Sequence, residues 1–69
     1  MSQRPTYSIV TPIYDEEGNI ELLVERVRQV MDSTGEPWEL VMVNDGSRDR
    51  SLELMRVHAQ ADSRIKIIN

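Results

Sequence analysis

Between Asn19 and Met31 the apolar residues recur three and four positions apart: Ile20, Leu23, Val24, Val27, Val30 and Met31. Glu21, Glu25, Arg26, Arg28 and Gln29 fall largely between them. Only a helix gathers such a set onto one stripe and leaves the charges on the other side. The flanking segments have a different character. Tyr7–Ile13 is a nearly continuous apolar run rich in β-branched residues, and Trp38–Val43 reads Trp-Glu-Leu-Val-Met-Val. Both are too short for helices between their breakers, so both predict strands, and a continuous run predicts a strand buried in a sheet. Pro12 has no N–H for a ladder, so pairing of the first strand is expected to stop about there. Two strands joined by a helix of this length are expected to lie parallel, with a right-handed crossover.

The punctuation extends this pattern along the chain. Asp15–Gly18 is an acidic break, Asn19 is a good N-cap residue, and Gly35 and Pro37 end the helix. Glu25 and Arg28 are spaced to pair across one turn. Asn44-Asp45-Gly46-Ser47 is a turn cluster, after which Ser47 or Asp49 can cap a second helix. Leu52, Met55 and Ala59 form one stripe of that helix, with Leu54, Val57 and Ala61 beside it. Asp62 and Ser63 end it, and Ile65–Ile68 opens a third strand. The order strand, helix, strand, helix, strand defines an α/β half-domain. Because the last residue, Asn69, closes a strand, residues 1–69 are expected to be the N-terminal part of a truncated domain. A parallel sheet needs cover on both faces, which 69 residues struggle to provide. Marginal stability, or self-association through an uncovered third strand, is therefore expected.

Composition removes several classes of function. There is no cysteine, which excludes disulfide scaffolds and cysteine-based zinc sites. Twelve acidic against eight basic residues give a net charge of −4, the wrong sign for a nucleic-acid footprint. No apolar run approaches the ~18 residues of a membrane span, and the polar lead Met1–Thr6 carries no targeting signal.

In open parallel sheets, ligands bind beyond the carboxyl ends of the strands. The first strand ends in Thr11-Pro12-Ile13-Tyr14-Asp15-Glu16-Glu17 and the second in Val43-Asn44-Asp45-Gly46-Ser47. A ring, several carboxylates and a glycine turn thus share one edge, a set suited to a nucleoside. Tyr14 can flank the base, and Asp45 can accept from a base N–H or a ribose hydroxyl. Backbone freed from pairing near Pro12 can read the base edge. Plainer readings stand beside these. Tyr14 can shield the sheet edge, Asp45 can bind its own turn backbone, and Glu16 and Glu17 can be solvated loop charges near a helix N-terminus. Asp49 reads as a helix cap, Trp38 as strand-start packing, His58 as a surface helix residue, and the methionines as core filler. No Gly-x-Gly-x-x-Gly follows the first strand and no Gly-Lys-Ser/Thr occurs, which disfavours a phosphate cradle. No nucleophile–base pair is visible, so no catalytic residue is assigned. A second reading is a magnesium-binding, receiver-like signalling module built on Asp15, Asp45 and Asp49, since that ion favours oxygen ligands.

Two stretches resemble a known family. Ser8-Ile9-Val10-Thr11-Pro12-Ile13-Tyr14-Asp15-Glu16-Glu17-Gly18-Asn19-Ile20 is similar to the opening of family 2 glycosyltransferases, hydrophobic-x-Pro-x-Tyr-Asn-Glu-Glu-x-Asn-Ile. Val41-Met42-Val43-Asn44-Asp45-Gly46-Ser47-Arg48-Asp49-Arg50-Ser51 is similar to their second signature, Val-Asp-Asp-Gly-Ser-x-Asp-x-Thr/Ser. The wording is nearest to the polyprenyl-phosphate, dolichol-phosphate mannose synthase-like branch. The resemblance implies a GT-A, Rossmann-like fold and transfer of a hexose from a UDP- or GDP-sugar, with a membrane polyprenyl phosphate as acceptor. It implies that Pro12, Tyr14 and Glu16 from the first loop, and Val43 and Asp45 from the second, line the nucleotide pocket. It further implies a Mg2+ or Mn2+ ion whose Asp-x-Asp ligands lie downstream, and a cytoplasmic parent attached to the membrane's cytoplasmic face. The 69 residues alone are expected to be inactive. Two positions depart from the pattern: Asp15 stands where Asn is usual, adding a charge near an anionic ligand, and Asn44 where Asp is usual.

Overall fold

The computed structural model describes residues 4–69, so the first half of the polar lead lies outside the described residues. The elements are β1 (Tyr7–Ile13), α1 (Ile20–Asp32), β2 (Trp38–Asn44), α2 (Ser51–Ala61) and β3 (Ile65–Ile68). The three strands are parallel, in the order β1-β2-β3. This is the α/β half-domain of parallel βαβαβ form that the residue pattern predicts. Both crossovers step across the sheet in the same direction. Right-handedness then places α1 and α2 on one face, where they touch each other.

The core lies between that face and the helices. Central β2 contributes Trp38, Leu40 and Met42 at every second position, opposite Ile20 and Val24 of α1 and Met55 of α2. Ile13 and Ile65 complete it from the outer strands. Trp38 and the methionines 42 and 55 are thus packing residues, as read from the sequence. Glu25 and Arg28 pair at 2.6 Å, and Gly35 closes α1 with a left-handed φ of +70°.

Three expectations need correction, and one boundary is refined. Continuous apolar character does not bury β1: Val10 is 63% exposed, because only one face of the sheet is covered. The bare face carries Val10 beside Val41, and Pro12 beside Val43 and Ile68, by register. Pairing also runs past Pro12 to Ile13, which is opposite Asn44. The Ile13 carbonyl accepts from Asp45 N–H, so odd-numbered residues of β1 bond to β2. Pro12 turns its missing donor to the free edge, where a ladder loses nothing. Asn19 does occupy the N-cap position of α1, but its side chain caps nothing; the amide donates to Glu16 Oε2 at 3.1 Å. Finally, Val30 and Val57 are exposed, outside the stripes assigned to them.

The amino end of the sheet is closed by a polar cluster. Trp38 Nε1 donates to Asp32 Oδ1 at 3.0 Å, and the Arg64 guanidinium lies 4.2 Å from the indole centroid. Arg64 also bonds Asp32 at 2.9 Å and Asp62 at 2.8 Å. Arg64, aided by Arg28, holds the Asp62 carboxyl well below the usual carboxylate range. The carboxyl end bears no such staple and is left to the loops.

Candidate functional site

β1 and β2 end side by side, so the two signature loops leave the sheet as neighbours. Ile13 is paired with Asn44, and the next N–H, of Asp45, donates to the Ile13 carbonyl at 2.8 Å. Tyr14 and Asp45 therefore follow adjoining strand ends. Tyr14 is half exposed and Asp45 is exposed. The juxtaposition expected of these two corners is present at the backbone.

Asp45 does not fill the turn role that its Asp-Gly sequence suggests. The Asn44 side chain does: its Oδ1 accepts the Ser47 N–H at 3.1 Å, and its Nδ2 donates to Asn69 Oδ1 at 2.8 Å. Among the described residues, nothing hydrogen-bonds the Asp45 carboxylate. Gly46 follows with φ +76°, a conformation that side chains disfavour. The turn thus projects one free carboxylate from the strand end.

The first loop is held by the second. Asp15 takes a left-handed φ of +48°, which Asp and Asn tolerate better than most residues. Its Oδ1 accepts the Arg48 N–H at 2.7 Å. The substitution at this position therefore puts its oxygen on a backbone donor, a role an Asn oxygen would also fill. Three consecutive amides of the loop then donate to side chains: Asp15 to Ser47 Oγ (3.2 Å), Glu16 to Ser51 Oγ (2.8 Å) and Glu17 to Asp49 Oδ2 (3.2 Å). Asp49 Oδ1 accepts the N–H and Oγ–H of Ser51. These bonds to Ser51, the Oγ–H first, hold the Asp49 carboxyl below its ordinary value. The N-cap position of α2 falls to Arg50, not to Asp49 or Ser47 as expected; Asp49 stands one residue earlier and accepts the first helical amide, that of Ser51, whereas Ser47 spans to the first loop and donates to the Ile13 carbonyl.

The remaining site residues fall in two groups. Pro12 and Glu16 line a cavity of about 290 Å3 with Thr11, Ile13, Asn19 and Ile20, beside the free edge of β1. Val43 pairs with Pro12 in the sheet and lies outside that cavity, as do Tyr14 and Asp45. Sequence reading missed Ser47 and Ser51 as loop-holding residues. The Ser-x-Asp-x-Ser spacing was the available signal.

The donor set does not fit a divalent cation. Asp15 and Asp49 are committed to backbone amides, and no group of three acidic or imidazole side chains is placed to share an ion among the described residues.

Residues 8–69 match glycosyl transferase family 2, and the chain belongs to that family. Over all 69 residues it is 51% identical to an uncharacterized glycosyltransferase, YkcC, of Bacillus subtilis strain 168, and covers 21% of that protein. Over 48 residues it is 46% identical to the undecaprenyl-phosphate 4-deoxy-4-formamido-L-arabinose transferase of Pectobacterium atrosepticum, covering 70% of this chain and 15% of that one. It is 40% identical over 62 residues to the uncharacterized glycosyltransferase sll0501 of Synechocystis, covering 90% and 20%. The chain thus spans about a fifth or less of these relatives. The family resemblance drawn from the two signatures holds, and one of these relatives is by its name an undecaprenyl-phosphate sugar transferase. The receiver-like alternative falls with it, since family and donor set both oppose it.

Proposed function

We propose that these residues are the opening, nucleotide-binding part of a transferase domain that moves a hexose from a UDP- or GDP-sugar to a polyprenyl phosphate. The observation that carries this reading is the unbonded Asp45 carboxylate on the carboxyl edge of the sheet, next to the strand end that bears Tyr14. A free acceptor beside an aromatic ring suits a ribose hydroxyl or a base N–H. Pro12 and Glu16 extend the contact from the first loop, and Val43 supports it from below.

The loops offer the diphosphate little. Their amides are already bonded to side chains, so charge neutralisation falls to groups outside these residues. A Mg2+ or Mn2+ ion held by residues outside this segment would supply that charge neutralisation as a Lewis acid. No helix among the described residues is long and apolar enough to cross a membrane. Attachment to the cytoplasmic face of a membrane therefore belongs to the rest of the parent.

The test is calorimetric titration of the complete transferase with UDP and GDP. Asp45→Ala is expected to weaken the preferred nucleotide about tenfold or more, the cost of a charge-assisted hydrogen bond. Unchanged affinity removes the reading. The 69 residues alone, given donor sugar, cation and polyprenyl phosphate, are expected to form no product.

A further inference from the structure

We propose that Asp49 and Ser51 are positioning residues. They fill the amide cluster of the first loop from inside and so hold Tyr14 and Glu16 in the orientation that meets the nucleotide. This rests on the nucleotide reading above and assigns a task to residues that reading leaves idle.

Consecutive backbone amides that converge on one point attract an anion. In the first loop that place is taken by the protein itself. The Asp49 carboxylate accepts from Glu17 N–H, and Ser51 Oγ from Glu16 N–H, while Ser51 donates its own proton back to Asp49. Ser51 is fully buried, so its bonds are shielded from competing water. Ser47 adds a third link, to the Asp15 amide. Tyr14, by contrast, is half exposed and lies outside the buried core. Its placement comes from the backbone that follows it, and that backbone is fixed by α2.

The interchange of one oxygen for nitrogen isolates the effect. Asp49→Asn retains an acceptor for Ser51 but turns an NH2 group towards the Glu17 amide. Ser51→Ala strips the Glu16 amide of its partner, and Ser51→Thr restores a hydroxyl. Ser47→Ala, at a half-buried position, serves if the others fail to fold.

The experiment uses the complete transferase and reads amide hydrogen exchange at residues 15–17 together with donor and acceptor kinetics. Asp49→Asn and Ser51→Ala are expected to speed exchange at Glu17 and Glu16 respectively. Donor KM is expected to rise about tenfold, the scale of one lost hydrogen bond, while acceptor KM stays unchanged. Ser51→Thr is expected to recover both, and Tyr14→Ala to lose most of its effect in the Ser51→Ala background. Folded variants with unaltered exchange overturn the proposal. So does faster exchange with unaltered donor KM in an enzyme where Asp45→Ala weakens the nucleotide. If Asp45→Ala binds UDP and GDP as wild type does, the nucleotide reading itself fails, and exchange with its Ser51→Thr rescue alone decides whether the clamp exists.

Discussion

Arg64 shows how one side chain closes an end of this small sheet. It covers the Trp38 ring and reaches two carboxylates, Asp32 in the last turn of α1 and Asp62 just after α2. Arg64→Ala is expected to cost about 1 kcal/mol, since the pairs are partly exposed and screened; chemical denaturation measures it. Asp62 gives the same contact a pH dependence. Its carboxyl titrates below the ordinary range because of Arg64, while in the unfolded chain it returns to about 4. The stability it contributes is complete above about pH 5 and is lost as pH falls through 4 and below. Asp62→Asn is therefore expected to lower the melting temperature at pH 7, and by progressively less as pH falls below 4. A difference that grows on acidification contradicts this. Gly46 is a simpler case. A Cβ there meets nothing within 4 Å, so only its φ of +76° resists substitution. Gly46→Ala is expected to cost about 1 kcal/mol, and Gly46→Asn less.

Among the elements, β2 carries the core. Leu40 and Met42 have no exposed surface and face both helices. Truncating either to alanine is expected to remove about 2–5 kcal/mol, enough to unfold a chain this short; circular dichroism in denaturant shows it. Val30→Ala, on the exposed side of α1, is expected to change little. The contrast bears on what could be read in advance. The stripe of α1 and the apolar run of β2 declare themselves through their period, because burial selects residue type at each repeat. That Val10 and Val30 stand in solvent is not written in their type. A valine awaiting a neighbour and a valine with one look alike. The site divides in the same way. Tyr14, Asp45 and the Asp-Gly turn could be placed at one edge from chain order and parallel pairing. The serines carry only the Ser-x-Asp-x-Ser spacing as a signal; that their hydroxyls bond amides of the first loop depends on loop backbone conformation, which chain order does not specify.

Residues 4–69 are two layers deep, helices over sheet, and among these described residues none covers the other face of the sheet. Val10, Pro12, Val41, Val43 and Ile68 share that face, while Ser8, Glu39 and Lys66 form a hydrogen-bonded row at its lower end. The 69-residue chain is expected to self-associate through the apolar half. Val41→Lys is expected to reduce that association in sedimentation experiments without loss of helicity. Association unaffected by Val41→Lys would assign the contact to a strand edge instead.

Pro12 has one more effect, on whatever comes alongside. A new strand laid against β1 from its outer side finds donors at Ser8 and Val10 and then a missing rung. At that rung only the Pro12 carbonyl is left to bond, so the ladder is weakened just before Tyr14. One imino acid, harmless on its paired side, limits how firmly a neighbour can zip along the outer edge.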